Sequence, residues 1–201
     1  DVYKRQQIGT PKEEKANGIT IDSSNNIYIS GYTKGKFDND TYSSRPDIFL
    51  SKFNSAGTNQ WIKSFGTPFD DYSNGIAVDS SGNICISGYT KGDFDNYSIT
   101  ANPDIILLKY NSSGTKLWHK QIGTTSDDRT NGIAIDSTHN IYITGYSKGN
   151  LDNYTNSGRS DAFLMKFDSG GSKQWTKLIG TSSDDIANDI IIDSLNNIYI
   201  T

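Results

Sequence analysis

Apolar residues recur along this chain in short runs, alternating or nearly continuous, and each run is closed by a cluster of Asp, Asn, Ser or Gly. From residue 131 the runs read NGIAID, NIYITGYS, DAFLMKF and KQWTKLIG. Alternation puts Ile141, Ile143 and Gly145 on one face of an extended segment and Tyr142, Thr144 and Tyr146 on the other, as a period of two requires. Both faces are largely apolar or aromatic, so the sheet is expected to lie between neighbours instead of wetting one side. No run has helical spacing, and the enrichment in Ile, Tyr and Phe favours strands. The links DSSNN, DSSGN, DSTHN and DSLNN, with NSAGT, NSSGT and DSGGS, are tight hairpin connections, where Asp, Asn and Ser bond their own backbone and Gly or Asn accepts positive φ.

The same four-strand pattern returns every 57 residues without insertion or deletion, starting at Ile8, Phe65, Ile122 and Ile179. Gly9, Gly66, Gly123 and Gly180 share a slot, as do Asp22, Asp79, Asp136 and Asp193, and as do Trp61, Trp118 and Trp175. A four-stranded meander cannot cover two apolar faces alone; copies stacked around an axis can. The expected fold is therefore all-β: a partial β-propeller, an open arc of four-stranded antiparallel blades over residues 8–64, 65–121, 122–178 and, in part, 179–201. A solenoid is less suitable, because two hairpins are too much chain for one rung.

NGIAVDSSGNICISGYT followed by DIILLKYNSSGTKLWHKQIG resembles the SBBP-type β-propeller repeats of bacterial proteins that are often secreted or surface-borne. The resemblance covers residues 8–201. It implies an extracellular or cell-surface setting and no single activity. The first hairpin is also similar to NHL repeats, which implies that the GIAVD strand lies nearest the axis.

The first six residues, DVYKRQ, depart from this register: a fourth strand should precede Ile8 with Trp at position 4, where Lys4 stands. Back-translation as GAT GTG TAT AAG AGA CAG matches the end of a transposon adapter used in sequencing libraries, so residues 1–6 are expected to be a translated adapter and residues 7–201 the native propeller piece. The final run, NNIYIT, stops where its siblings continue to GYT or GYS, so an interior fragment is expected, with the remaining blades of the same chain as its first partners.

A formal charge of -4 without any basic cluster argues against a nucleic-acid surface, and no apolar run is long enough to span a membrane as a helix. Cys85 occupies the slot of Tyr28, Tyr142 and Tyr199 and reads as a packed side chain. The repeated Trp reads as core.

In a meander, the links inside each hairpin share one rim, while the strand-two-to-three loops and the connections between repeats share the other. The second rim carries the long loops, and recognition concentrates in such loops. It is acidic: Glu13 and Glu14, Asp70 and Asp71, Asp127 and Asp128, and Asp184 and Asp185 share one pair of slots, while Asp38, Asp95 and Asp152 add another carboxylate per repeat. Loops of this kind suit Ca²⁺, whose ligands are carboxylates and carbonyls, although their spacing matches no named Ca²⁺ loop; the alternative is that these residues cap loop backbone. No other cofactor is expected.

Catalytic groups should depart from the repeat, since a reaction needs unlike groups at one point. The departures are His119, His139, Arg45, Arg129 and Arg159, which form no nucleophile–base pair, and GxSxG, HExxH and phosphate-loop motifs do not occur. The expectation is a non-catalytic scaffold for a protein or glycan partner. Its competitor is the propeller portion of a secreted enzyme whose catalytic residues lie outside this piece.

Overall fold

The computed structural model describes residues 7–37, 45–94 and 102–201. Residues 1–6, and with them the adapter expectation, lie outside the described residues, as do Asp38 and Asp95. The first repeat forms β1 (Glu14–Ile21), β2 (Ile27–Thr33), β3 (Asp47–Phe53) and β4 (Asn59–Phe65); the second forms β5 (Asp71–Val78), β6 (Ile84–Thr90), β7 (Asp104–Tyr110) and β8 (Lys116–Ile122). The third forms β9 (Asp128–Ile135), β10 (Ile141–Ser147), β11 (Asp161–Phe167) and β12 (Lys173–Ile179), and β13 (Ile190–Ile192) pairs with β14 (Ile198–Ile200). Each of the three complete sheets is an antiparallel meander in sequence order, and the sheets stack as an open arc.

The two-faced burial expected from the sequence is clearest in β7, where every residue is buried. Ile106 and Leu108 join Tyr28, Ile48, Leu50, Ile84 and Ile86 in the core between the first and second sheets. Ile105 and Leu107 point the other way, into the core with Ile141, Ile143, Phe163 and Phe167. Full burial of each such aliphatic side chain contributes about 1.5–3 kcal/mol. The first strands of successive repeats pack against one another, β1 on β5 and β5 on β9, which places the GIAVD segment at the inner edge of each blade.

The sequence pattern puts the start of strand one at NGIAVD, but the strand begins earlier, at the acidic segment. An extra residue explains the difference. Ser73 pairs with Gly88 and Gly75 with Ser87, leaving Asn74 as a β-bulge. Asn17 and Asn131 occupy the same position in their sheets. A bulge reverses the alternation of side chains, so the apolar period appears to start after it.

The bulge also joins the blades. Asn17 Nδ2 donates to Ser73 O (2.8 Å), Asn74 Nδ2 to Thr130 O (2.7 Å) and Asn131 Nδ2 to Ala187 O (2.8 Å). Opposite each bulge the strand-two residue is Gly, because a Cβ on Gly88 would stand 1.8 Å from Tyr72 O. Beside it, Gly75 leaves a notch for Ile133 of the next sheet, whose Cγ2 would be 2.9 Å from an added Cβ. Asp189 takes the notch slot in the fourth repeat, on an exposed face.

The first-hairpin turn is held by its aspartate. Asp136 Oδ1 accepts from the N–H groups of Thr138 and Asn140, and Oδ2 accepts from Asn140 Nδ2 (2.8 Å) and Tyr142 OH (3.0 Å). These bonds outweigh the effect of partial burial and lower its pKa to about 2. Asn25, Gly82, His139 and Asn196 share the positive-φ position of this turn. The repeat-two turn lacks the tyrosine hydroxyl, since Cys85 replaces it; burial pushes that thiol up to about 12. Lys109 compensates. Its siblings Lys52 and Lys166 lie over the rings of Tyr28 and Tyr142, whereas Lys109 Nζ sits 3.3 Å from Asp79 Oδ2 with both side chains buried. The tryptophans pack, as expected, but at the outer edge of each junction: Trp61 lies against Gly114 and Trp118 against Gly171 in the next repeat's turn.

Three outcomes follow from this packing. Asn74→Ala should cost about 1–3 kcal/mol in denaturant unfolding, because the Thr130 carbonyl loses its buried donor, and Gly75→Val a similar amount through overpacking against Ile133; either variant at wild-type stability would contradict the latch. Lys109→Met should cost about 3 kcal/mol or more by stranding Asp79, and adding Cys85→Tyr should recover part of that loss by restoring the hydroxyl donor, as a double-mutant cycle would measure. Asp136 is depressed in the folded state, so its contribution is complete above the ordinary carboxylate pKa of about 3.8 and lost as pH falls through about 2; Asp136→Asn should flatten that part of the acid-unfolding profile.

Candidate functional site

The acidic rim resolves into two separate sets, because consecutive residues of an extended strand point to opposite sides. The first acid of each pair faces outward, and in the first three repeats it is matched by a cation. Glu13 accepts from Lys34 Nζ (2.6 Å) and Tyr32 OH (2.6 Å). Asp70 pairs with Lys91 (2.9 Å) and Arg45 (3.4 Å), and Asp127 with Arg129 (2.7 Å) and Lys148 (3.6 Å). Asp184 accepts from Ser160 Oγ at 2.8 Å.

The second acid turns inward and caps the connection between repeats. Glu14 Oε2 accepts from Thr10 N (3.0 Å), while Asp71 Oδ2 accepts from Thr67 N (2.6 Å) and Thr67 Oγ1 (3.0 Å). Asp128 Oδ2 and Asp185 Oδ2 bind Thr124 and Thr181 in the same way. Asp71 and Asp128 are fully buried. Burial, reinforced by the nearby Asp47 carboxylate, raises Asp71 to about 6 against the opposing Thr67 hydrogen bonds. Burial likewise raises Asp128, against hydrogen bonds from Ser147 and Thr124.

Asp152 is not brought to either set. It adopts φ 54° and lies against the outer strand β12, bonded to Lys173 and Thr176. The two histidines are also apart. His139 lies beside Asp79 (3.6 Å) and Ser80 (3.3 Å) on the rim of short turns, and His119 lies beside Phe94. A cleft of about 930 Å³ between the outer strands of the first two sheets is lined by Trp61, Lys63, Phe65, Phe94 and Tyr110, and includes neither Asp70 nor Asp71.

Two features of this rim escaped the sequence reading. One is a row of half-buried rings joining successive repeats: Tyr32 meets Tyr72 edge-on at 4.9 Å, Tyr72 stacks with Tyr89 at 4.9 Å, and the Arg129 guanidinium lies 4.3 Å from the Tyr89 ring centre. Tyr32, Tyr89 and Tyr146 do share a slot, but their neighbours Tyr72 and Arg129 differ in type, so no repeated motif marks the row. The other is a third acidic slot, Asp47, Asp104 and Asp161, at the first residue of β3, β7 and β11. All three are buried. An aspartate heading the apolar run IILLKY was the available signal.

Comparison with known proteins agrees with this architecture. A protein of unknown function from Bacteroides caccae superposes with a TM-score of 0.54 at 9% identity, over 93% of this chain and 53% of that one. An uncharacterized WD repeat-containing protein of Acanthamoeba polyphaga mimivirus, L264, is 27% identical over 79% of this chain and 14% of its own length. The regulatory protein FlaEY of Caulobacter vibrioides is 25% identical over 73% of this chain and 17% of its own. The chain thus spans less than a fifth of either curated relative. The SBBP β-propeller repeat matches residues 2–38, 60–95, 117–152 and 174–201, one match for each 57-residue unit, and the chain belongs to that family.

Proposed function

We infer that this chain is a non-catalytic recognition scaffold whose long-loop rim holds an extended glycan. The observation that carries this reading is the Tyr32–Tyr72–Tyr89–Arg129 row. It runs continuously from the first repeat to the third, so it offers a connected ledge of aromatic and guanidinium surface along which an extended ligand can lie. Half-buried tyrosines combine apolar ring surface with a polar tip. The ion-paired carboxylates Glu13, Asp70 and Asp127 flank them with acceptors already fixed in position, a preorganisation that lowers the ordering cost of binding.

The chemistry of the rim favours a scaffold over an enzyme. Its acids repeat the same two roles from one repeat to the next, the inward one capping a threonine and the outward one meeting a cation or hydroxyl. The two lie on opposite sides of the strand, whereas a reaction needs unlike groups converging on one point. A mildly acidic surface disfavours polyanionic ligands, so the ligand class is a neutral polysaccharide. The setting that accords with such a ligand, and with the family, is the bacterial surface or the medium.

Affinity electrophoresis through gels containing neutral polysaccharides tests the reading. Retardation of the wild-type chain is expected in at least one of them, and Tyr72→Ala and Tyr89→Ala should each weaken it about tenfold, the loss typical of an aromatic anchor worth about 1.4 kcal/mol. Unretarded migration across the panel, or retardation that ignores both substitutions, would overturn it.

A further inference from the structure

The third acidic slot meets the inward acids at every junction between repeats. Asp71 N donates to Pro46 O, Asp128 N to Pro103 O and Asp185 N to Ser160 O. Each bond draws the inward acid of one repeat up to the segment that ends in Asp47, Asp104 or Asp161 of the preceding repeat, and it brings the Asp71 carboxylate near that of Asp47 and the Asp128 carboxylate near that of Asp104. At the first junction both converge on Gly66. A Cβ there would stand 2.5 Å from Asp47 Oδ1 and 2.7 Å from Asp71 Oδ2.

The second junction shows what the pair lacks. Asp104 is 2% exposed and Asp128 is fully buried, and neither forms an ion pair among the described residues. Asp104 Oδ2 accepts from Gln121 Nε2 at 2.9 Å, but Asp104 Oδ1 has no hydrogen-bond partner. Asp161, 1% exposed, repeats the arrangement: Oδ2 accepts from Ser157 N at 2.7 Å and Oδ1 has no partner. Buried carboxylates without a counter-charge are strongly disfavoured. Both orphan oxygens face the glycine slot on which the two acids converge at Gly66, 2.0 Å from a Cβ on Gly123 and 2.4 Å from one on Gly180, and a recurring uncompensated oxygen there marks a position that something positive fills.

The geometry points to one hard cation of the Ca²⁺ class bound at each junction, between the third-strand aspartate of one repeat and the inward acid of the next. The donors are all oxygen. Around Asp128 stand the Thr124 and Ser147 hydroxyls, the latter also bonded to Gly149 O. No nitrogen or sulfur ligand belongs to the set, which selects Ca²⁺ over transition metals. At Gly66 one oxygen of each acid approaches the same side-chain-free face of the glycine, 2.5 and 2.7 Å from where a Cβ would stand, so glycine leaves open the side on which an oxygen-bound ion, with bonds of about 2.3–2.6 Å, would sit. Such an ion would tie each blade to the next through side chains at the rim end, as the bulge asparagine does through its amide nearer the middle of the inner strand.

Calorimetric titration of the full chain, stripped by chelator, with CaCl₂ at pH 7.5 tests this, read together with the melting temperature in CaCl₂ and in EDTA. Binding is expected, with a higher melting temperature in CaCl₂. Asp104→Asn and Asp161→Asn, at separate junctions, should each lower the stoichiometry by one ion, so either variant suffices if the other fails to fold. Asp127→Asn, in the outward set, should leave stoichiometry unchanged. Absence of binding heat with equal melting temperatures in CaCl₂ and EDTA would overturn the proposal, and so would full stoichiometry in both junction variants.

Discussion

The arc depends on one extra residue in the inner strand. Without the bulge at Asn17, Asn74 and Asn131, each first strand would keep a single alternation from end to end. Its amide would then be an ordinary ladder side chain instead of a donor to the next sheet's backbone. The same extra residue brings the strand close to its partner, which is why glycine stands opposite it at Gly31, Gly88 and Gly145. Asparagine, facing glycine and notch glycine are consequences of one distortion. Bulges are favoured where a side chain must be re-aimed, and here the re-aimed group joins one repeat to the next.

The second repeat shows how the scaffold absorbs change. Replacing a tyrosine by Cys85 removes a hydroxyl donor from Asp79, and the lysine that elsewhere rests over the tyrosine ring reaches the carboxylate instead. The turn keeps its shape, because the backbone bonds to Asp79 Oδ1 from Ser81 and Asn83 are the same as those in the other repeats. Conserving a turn through a different donor costs one buried ion pair. Such pairs are tolerated when the acid is already well hydrogen-bonded.

The two rims therefore differ in kind. On the short-turn rim each first-hairpin aspartate is held by its own turn, two to six residues away in sequence, with Lys109 added at Asp79. On the long-loop rim the outward acids pair chiefly with cations of their own repeat, with Arg45 and Ser160 reaching Asp70 and Asp184 from the preceding one, while inward Asp71 lies near Asp47 of the preceding repeat. What looked like one acidic ledge is a surface layer above a buried one, separated by the thickness of a strand. Asp70 and Asp71 are neighbours in the chain and belong to different environments.

Period-two alternation, the turn clusters and the 57-residue step are local or additive signals. They settled the strand order, the meander, the stacking of two-faced sheets and the division of loops between rims. The early start of the first strand was not legible, because a bulge inverts the period at the point where the pattern would be extended. The pairing of Asp104 with Asp128 and the row through Tyr72 and Arg129 were not legible either, since these contacts link unlike slots in different repeats. An alternation rule says which side of a strand a residue faces. Only the packed sheets decide which residue of the next blade waits there, because that depends on how far each repeat is turned relative to the last.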